Sequence, residues 1–361
     1  MSEQQALQAI RQQIDETDQQ IQNLLNLRVE MAQEVAKIKL ANGEVSDFYR
    51  PEREAKVLRQ VIERNQGPLD AKEMARLFRE IMSACLAAEK PLQVAYLGPE
   101  GSFTQVAALK QFGASIELQS MQTIADVFHA VETDNASYGV VPVENSTEGM
   151  VSHTLDRFIS TSLKINGEVS LRIHHYLLSK EQELADVDIV YAHPQALGQC
   201  RSWLAKHLPK CELVAVNSNS EAAKRVAGER RTAAIAANRA AEIYELTTLA
   251  SNIEDEANNT TRFLVIGRQD VAPSGNDKTA LLVSTKNQPG ALHSLLKPLA
   301  ESGITMSKIE SRPARTAVWE YVFFIDIDGH CQDEKMIDAL KQLEQASSMC
   351  RVLGSYPKAV L

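Results

Sequence analysis

The sequence predicts a multidomain chain in which an all-α module precedes an α/β module and a small α+β module. Three observations carry this reading. The chain opens on a Gln-, Glu-, Leu- and Ala-rich stretch with no glycine before Gly43 and apolar residues at helical spacing. Near Leu92 the period changes to short β-rich runs alternating with helical ones, and the last stretch reads strand, helix, strand, strand, helix, strand.

The first module, residues 1–90, is expected to hold three helices. One covers 6–41 and stops at Asn42-Gly43; a second starts at Pro51, whose fixed φ suits a first turn; a third follows Leu69-Asp70 to Glu89 before Lys90-Pro91 closes the module. In the second module, 92–268, QVAYL, YGVVPV, DIVYA, ELVAV and TAAIA read as strands, with helices over 104–112 and 220–228. It ends on RFLVIGR, and VAPSGNDK reads as a polar linker. The third module, 278–356, has TALLVST, a helix over 291–302, SKIESRP, WEYVFFIDI, a helix over 333–346 and a strand around Val352. That order, βαββαβ, is the ferredoxin-like topology.

Composition narrows the function. With 38 Lys and Arg against 47 Asp and Glu the net charge is −9, which gives no basic face for nucleic acid. No stretch approaches the ~20 apolar residues of a membrane span, and the N-terminus has no basic run followed by an apolar one, so a cytoplasmic protein is expected. The five cysteines lie at irregular intervals with no CxxC or Cys/His cluster; free thiols and no metal site follow. Nothing in the chemistry below calls for a cofactor.

Positions 7, 10, 14, 17, 21, 24, 28, 31, 35 and 38 form an apolar seam on the first helix, interrupted by Thr17 and Arg28. A guanidinium in such a seam needs a carboxylate of the protein or an anionic ligand. Lys39 lies 11 residues on, close to three turns, so it shares the face of Arg28 about 16 Å along the axis. Arg11 precedes Arg28 by 17 residues, roughly 25 Å, too far to hold the same small molecule from the same helix. If Arg11 joins that site it comes from another chain, and the spacing predicts a dimer.

Arg11, Arg28, Lys39 and the Arg53-Glu54 pair resemble the all-helical chorismate mutases, whose fold is an intertwined dimer. The resemblance implies that Arg11 and Arg28 clamp the two carboxylates of chorismate. It also implies that Lys39 donates to the ether oxygen, that Glu54 accepts from the ring hydroxyl, with Glu52 the competing choice, and that Arg53 adds positive charge. Arg50 stands where the family often has aspartate. Glu89 stands where a glutamine commonly donates to the ether oxygen, so a protonated Glu89 with a raised pKa is expected. Cys85, one turn earlier, falls where a small hydroxyl residue lines the site in the family; packing is the plainer reading.

GPEGSFT after the first strand of the second module is a small-residue turn whose amides and Ser102 hydroxyl suit a carboxylate. With VVPVENS, YAHPQ and NNTTRFLVIG it resembles the prephenate dehydratases along the whole module. The resemblance implies two α/β lobes around a cleft, as in periplasmic binding proteins, and a catalytic threonine in Thr261-Arg262-Phe263. Neighbours on a strand point to opposite faces, so only one of Thr260 and Thr261 enters the cleft. Ser102, Glu144, Asn145, Ser146, Gln195, Arg262 and Phe263 are the substrate-positioning candidates, with Glu144 a proton source if buried; His193, before proline, reads more as a turn residue than a catalytic one.

QPGALHSLL and KIESRPAR resemble the amino-acid-binding ACT domain. Gly290, Ala291 and Leu292 would leave room for a ligand backbone, with His293 where valine is common, and Glu310, Ser311, Arg312 and Pro313 would supply ligand contacts. The resemblance as a whole implies a homodimer that turns chorismate into prephenate and phenylpyruvate under feedback by L-phenylalanine, with activity surviving loss of the chain after about Asn276 while inhibition does not. Arogenate preference, a catalytically dead middle module, and a non-catalytic amino-acid sensor are the competing readings.

Overall fold

The computed structural model describes residues 2–41, 49–285, 288–313 and 321–360. Helix α1 (Glu3–Ala41) is a single helix of 39 residues, followed by α2 (Pro51–Arg64) and α3 (Ala71–Ala87). The expected stop at Asn42-Gly43 lies outside the described residues. Asp70 caps α3 by accepting from the Lys72 and Glu73 amides. The C-terminal half of α1 rests on α3, with Ala36 buried and Leu25, Val29 and Ala32 half-buried. The apolar seam is left to solvent: Leu7, Ile10, Ile14, Ile21, Leu24, Met31, Val35 and Ile38 are each half exposed or more.

The α/β module is built of two lobes. The first holds β1 (Gln93–Leu97), α4 (Phe103–Phe112), β2 (Glu117–Met121), α5 (Ile124–Glu132), β3 (Tyr138–Asn145), β4 (Gly149–Met150), α6 (Ser152–Ser160) and β5 (Lys164–Arg172). The second holds β6 (Tyr176–Ser179), β7 (Ile189–Ala192), α7 (Pro194–Gln199), α8 (Arg201–His207), β8 (Glu212–Ala215), α9 (Asn219–Val226), β9 (Thr232–Ala236), α10 (Asn238–Tyr244) and β10 (Thr247–Ser251). The chain then returns as β11 (Thr260–Gly267), giving sheet orders β2-β1-β3-β11-β5, with β4 on β3, and β10-β6-β9-β7-β8. The two crossovers, residues 173–175 and 252–259, are bonded to each other. Ile173 N donates to Asn259 O at 2.8 Å, and Ile253 N to His175 O at 3.0 Å.

The last module has the expected topology: β12 (Asp277–Thr285), α11 (Ala291–Glu301), β13 (Met306–Pro313), β14 (Tyr321–Asp328), α12 (Glu334–Ala346) and β15 (Met349–Pro357), in the order β13-β14-β12-β15. One face packs under its helices through Leu281, Val283, Leu295, Leu299, Ile325 and Leu343. The other does not face water. Ala280, Leu282, Val322, Phe324, Leu353 and Tyr356 share one core with Ile165, Leu264 and Ile266 of the first lobe. At Gly354 the two backbones meet so closely that a Cβ would stand 2.2 Å from the Ile165 carbonyl oxygen.

VAPSGNDK departs from the expected free linker. Ser274 and Asp277 are buried, the Asp277 carboxylate accepts from the Ser274 and Gly275 amides, and Arg59 of α2 donates to the Ser274 and Asn276 carbonyls. Its polar residues fold the segment into a fixed corner where all three modules meet. Tyr49 adds to this junction by packing on Phe112 and Tyr138, with ring centroids 5.1 and 5.4 Å away.

Candidate active sites

Between α1 and α3 the structure brings together four of the residues singled out from sequence. Arg28 Nη1 lies 2.7 Å from Cys85 Sγ, which accepts its bond. One turn on, burial raises the Glu89 carboxyl above the usual carboxylate range and the charge of Lys39 partly opposes this. Arg11 is exposed on the free part of α1, Arg50 precedes α2 at its N-cap, and Arg53 faces solvent.

Glu54 does not join this group. It pairs with Arg79 at 3.1 Å, in a contact where the two side chains are 12% and 9% exposed, while Arg79 also donates to the Lys110 carbonyl of the first lobe. The cause is helical phase: Glu54 shares the buried side of α2 with Leu58 and Val61, so the turn that seats those residues carries it into the junction. Burial raises its pKa, and Arg79 opposes the rise. Glu52, the alternative to it, is half-buried.

The lobes enclose a cleft of about 1070 Å³. Ser102, Asn145, His193, Gln195, Thr261 and Phe263 line it, together with Phe103, His175, Gln199 and Asn259. Ser102 is the N-cap of α4, accepting from Gln105 N and donating to Leu97 O. Nδ1 of His193 accepts from Gln195 N and caps α7, which is the turn role its place before Pro194 predicts. Thr260 stands on the other side of β11 from the cleft, its hydroxyl donating to Asn258 O. Asn145 and Thr261 are paired across β3 and β11, and the Asn145 amide donates to Thr261 Oγ1 at 2.8 Å. That oxygen is thereby an acceptor, and its proton remains for a group in the cleft.

Three candidates turn away. Glu144 binds Lys308 of β13, and Arg262 binds Glu168 at 2.8 Å, Asp326 at 2.7 Å and the Tyr356 hydroxyl at 3.0 Å. Strand alternation is the reason: Glu144 and Arg262 are register partners on the face opposite Asn145 and Thr261, and that face meets the last module. Ser146 ties the strand ends together instead, its hydroxyl accepting from Thr260 N at 3.0 Å. Glu144 is thus an ion-pair partner of the third module and not a cleft acid.

In the last module Gly290, at φ +79°, starts α11, and with Ala291, Leu292, His293, Thr285, Gln288, Tyr321 and Phe323 it lines a hollow of about 240 Å³. β13 lies outside that lining. Its Ser311 and Pro313 pair with Phe323 and Tyr321, whereas Glu310 and Arg312 pair with Phe324 and Val322, which face the first lobe. Arg312 accordingly donates to Ser152 Oγ at 2.6 Å and pairs with Asp156 at 2.9 Å.

A helical module with clustered cations, a two-lobed cleft and a small βαββαβ module with its own hollow define a fused enzyme with a separate ligand-binding unit. The comparisons agree module by module: residues 10–90 match the family chorismate mutase type II, 94–271 match prephenate dehydratase, and 279–345 match the ACT domain. A bifunctional chorismate mutase/prephenate dehydratase from Stutzerimonas stutzeri is 53% identical over all of both chains. Among solved structures, a prephenate dehydratase from Arthrobacter aurescens in complex with L-Phe is 34% identical, with a TM-score of 0.68 over 73% of this chain and 89% of that one. Another, described as GqqA, a quorum-quenching acylase, is 30% identical with a TM-score of 0.69 over 74% of this chain and 98% of that one. The chain belongs to the bifunctional chorismate mutase/prephenate dehydratase family.

Proposed function

We propose that the chain rearranges chorismate to prephenate between α1 and α3, then converts prephenate to phenylpyruvate in the cleft, as a homodimer inhibited by L-phenylalanine. The first reaction is pericyclic: one C–O bond breaks as one C–C bond forms, with no covalent intermediate. The protein's part is to hold a compact dicarboxylate and stabilise charge on the ether oxygen, and cations and donors do this. Arg28 binds a carboxylate, Lys39 and a protonated Glu89 donate to the ether oxygen, and Arg11 reaches the site from the second copy. The exposed seam of α1 supports that second copy, since a single chain leaves it in water.

In the cleft the ring carboxylate departs as carbon dioxide, its electron pair enters the ring, and the hydroxyl opposite leaves. A proton taken up makes that hydroxyl water, so prephenate and one proton give phenylpyruvate, carbon dioxide and water. The Thr261 hydroxyl bonds to the leaving oxygen, and the bond it accepts from Asn145 polarises it for donation. Ser102 and Gln195, with the N-terminus of α4, hold the side-chain carboxylate, and Phe263 walls the ring. Prephenate is preferred to arogenate as the substrate because the full-length Stutzerimonas stutzeri relative and the Arthrobacter aurescens protein are both described as prephenate dehydratases. Phenylalanine, the ligand of the Arthrobacter aurescens protein, fits the role of inhibitor at the Gly290 hollow.

The Asn145–Thr261 bond in the cleft is the observation that carries this reading. The test supplies chorismate alone to the full chain and follows chorismate, prephenate and phenylpyruvate, with and without phenylalanine. Phenylpyruvate that falls on adding phenylalanine is the expected result. Accumulating prephenate sinks the dehydratase assignment, and unchanged chorismate sinks the mutase assignment.

A further inference from the structure

One buried group in the cleft wall has no part in the chemistry above. His175 lies in the first crossover between the lobes and is 2% exposed; its Nδ1 has no hydrogen-bond partner among the described residues. Its Nε2 lies 2.8 Å from Gln199 Oε1. Phe103 covers it edge-on, with centroids 5.6 Å apart, and the charged or titratable groups beside it are Glu254 and His174.

The direction of every bond in this chain of side chains is fixed from one end. The backbone amides of Thr147 and Glu148 donate to Asn145 Oδ1, which turns the Asn145 amide nitrogen toward Thr261 Oγ1 and Asn259 Oδ1, at 2.8 Å each. Asn259 then donates to Gln199 Oε1 at 3.2 Å, and Gln199 donates to Thr147 Oγ1 at 3.3 Å. Gln199 Oε1 is an acceptor, so His175 presents Nε2–H and its Nδ1 is bare. Burial holds the imidazole below the usual histidine range, with the Gln199 bond and Glu254 opposing, which favours this neutral form.

The chain also spans both lobes and the crossovers between them. Asn145 and Thr261 belong to the first lobe, Gln199 to the second, and His175 and Asn259 to the two crossovers between them. Resting on the reading of Thr261 above, we propose that His175 is a positioning residue for the dehydration step: as the donor at the far end of the Gln199–Asn259–Asn145 chain, it holds Gln199 and Asn259 in place, so that Asn145, oriented by the Thr147 and Glu148 amides, stays seated on Thr261 and leaves its proton free for the leaving group.

The test compares His175→Leu, which removes the donor, with His175→Gln, whose amide reaches the same acceptor, in the full chain. His175→Leu is expected to lower dehydratase kcat by about tenfold to a hundredfold with KM within about threefold, and His175→Gln to recover most of kcat. Mutase activity of the same preparations reports folding. Equal loss in both variants, a loss confined to KM, or wild-type kcat in His175→Leu overturns the proposal. Imidazole 15N resonances of the unsubstituted chain give a second route: Nε2–H with bare Nδ1 is expected, and the opposite tautomer or an imidazolium at neutral pH overturns it. Thr261→Val, run alongside, separates the two ideas. Wild-type turnover in Thr261→Val removes the catalytic reading itself, whereas a dead Thr261→Val beside a fully active His175→Leu removes the positioning role alone.

Discussion

In the mutase mechanism proposed above, Glu89 is the residue at which protonation would decide function. A carboxyl can donate to the ether oxygen only when protonated, and burial raises the pKa of Glu89 while Lys39 works against the rise. The protonated, donating form is therefore the one present below the raised pKa, and it is lost as pH climbs through it. Mutase kcat/KM is expected to fall across that range while dehydratase activity does not follow it, and Glu89→Gln, a donor at every pH, should flatten the profile. A mutase profile that stays level in the unsubstituted chain would falsify the role. At this scale much of the candidate site is legible: Thr261, Asn145, Arg28 and Lys39 stand in motifs with a chemical reason for their residue type. His175, Gln199 and Asn259 are not, because a buried polar group is recognised by its partners, and those lie up to 114 residues apart along the chain, as between Asn145 and Asn259. Glu144 and Arg262 are a different failure. The alternation that separates Thr260 from Thr261 applies equally to them, and it places them behind the cleft.

Among the elements, α1 is the one whose sequence demands something the single chain does not provide. Its seam alternates by three and four as a coiled-coil face does, and eight of its apolar side chains remain half exposed or more. Burial of each large aliphatic side chain is worth about 1.5–3 kcal/mol, so a second copy on this face gains a large driving force. Leu24→Gln combined with Met31→Gln puts two uncharged amides in the middle of the seam and adds no carboxylate beside Arg28 or Lys39. The doubly substituted chain is expected to sediment with a smaller oligomeric mass. Its mutase activity should drop on the order of a hundredfold, because Arg11 no longer arrives, while dehydratase activity holds within about threefold. An unchanged mass with unchanged mutase activity would remove the dimer from the account. The helices were readable because their period is strong over many turns. The polar edge strand β2, ELQSM, escaped because it has neither alternation nor a buried face to impose one.

For the whole molecule, the third module is less separable than its linker composition suggests. Its sheet shares a core with the first lobe, and Lys278 and Asp326 neutralise Glu168 and Arg262 in a contact where all four side chains are 15% exposed or less. Cutting the chain after Asn276 exposes Ile165, Leu264 and Ile266 and strips Glu168 and Arg262 of three of their partners, Lys278, Asp326 and Tyr356, so stability falls and self-association rises. The hydrogen bonds around Thr261 tell the other half: Asn145, His175, Gln199, Asn259 and Thr261 all lie in the two lobes and their crossovers, outside the third module. Dehydratase turnover per folded molecule is therefore expected to persist in the shortened chain within about threefold. Its response to phenylalanine should disappear, because the Gly290 hollow leaves with the deleted residues. Calorimetry, size-exclusion chromatography and inhibition assays on the one preparation check all three. Inhibition that persists at the same phenylalanine concentration would move the regulatory site into the catalytic lobes, and turnover lost from a chain that still folds would make the third module part of the catalytic machinery.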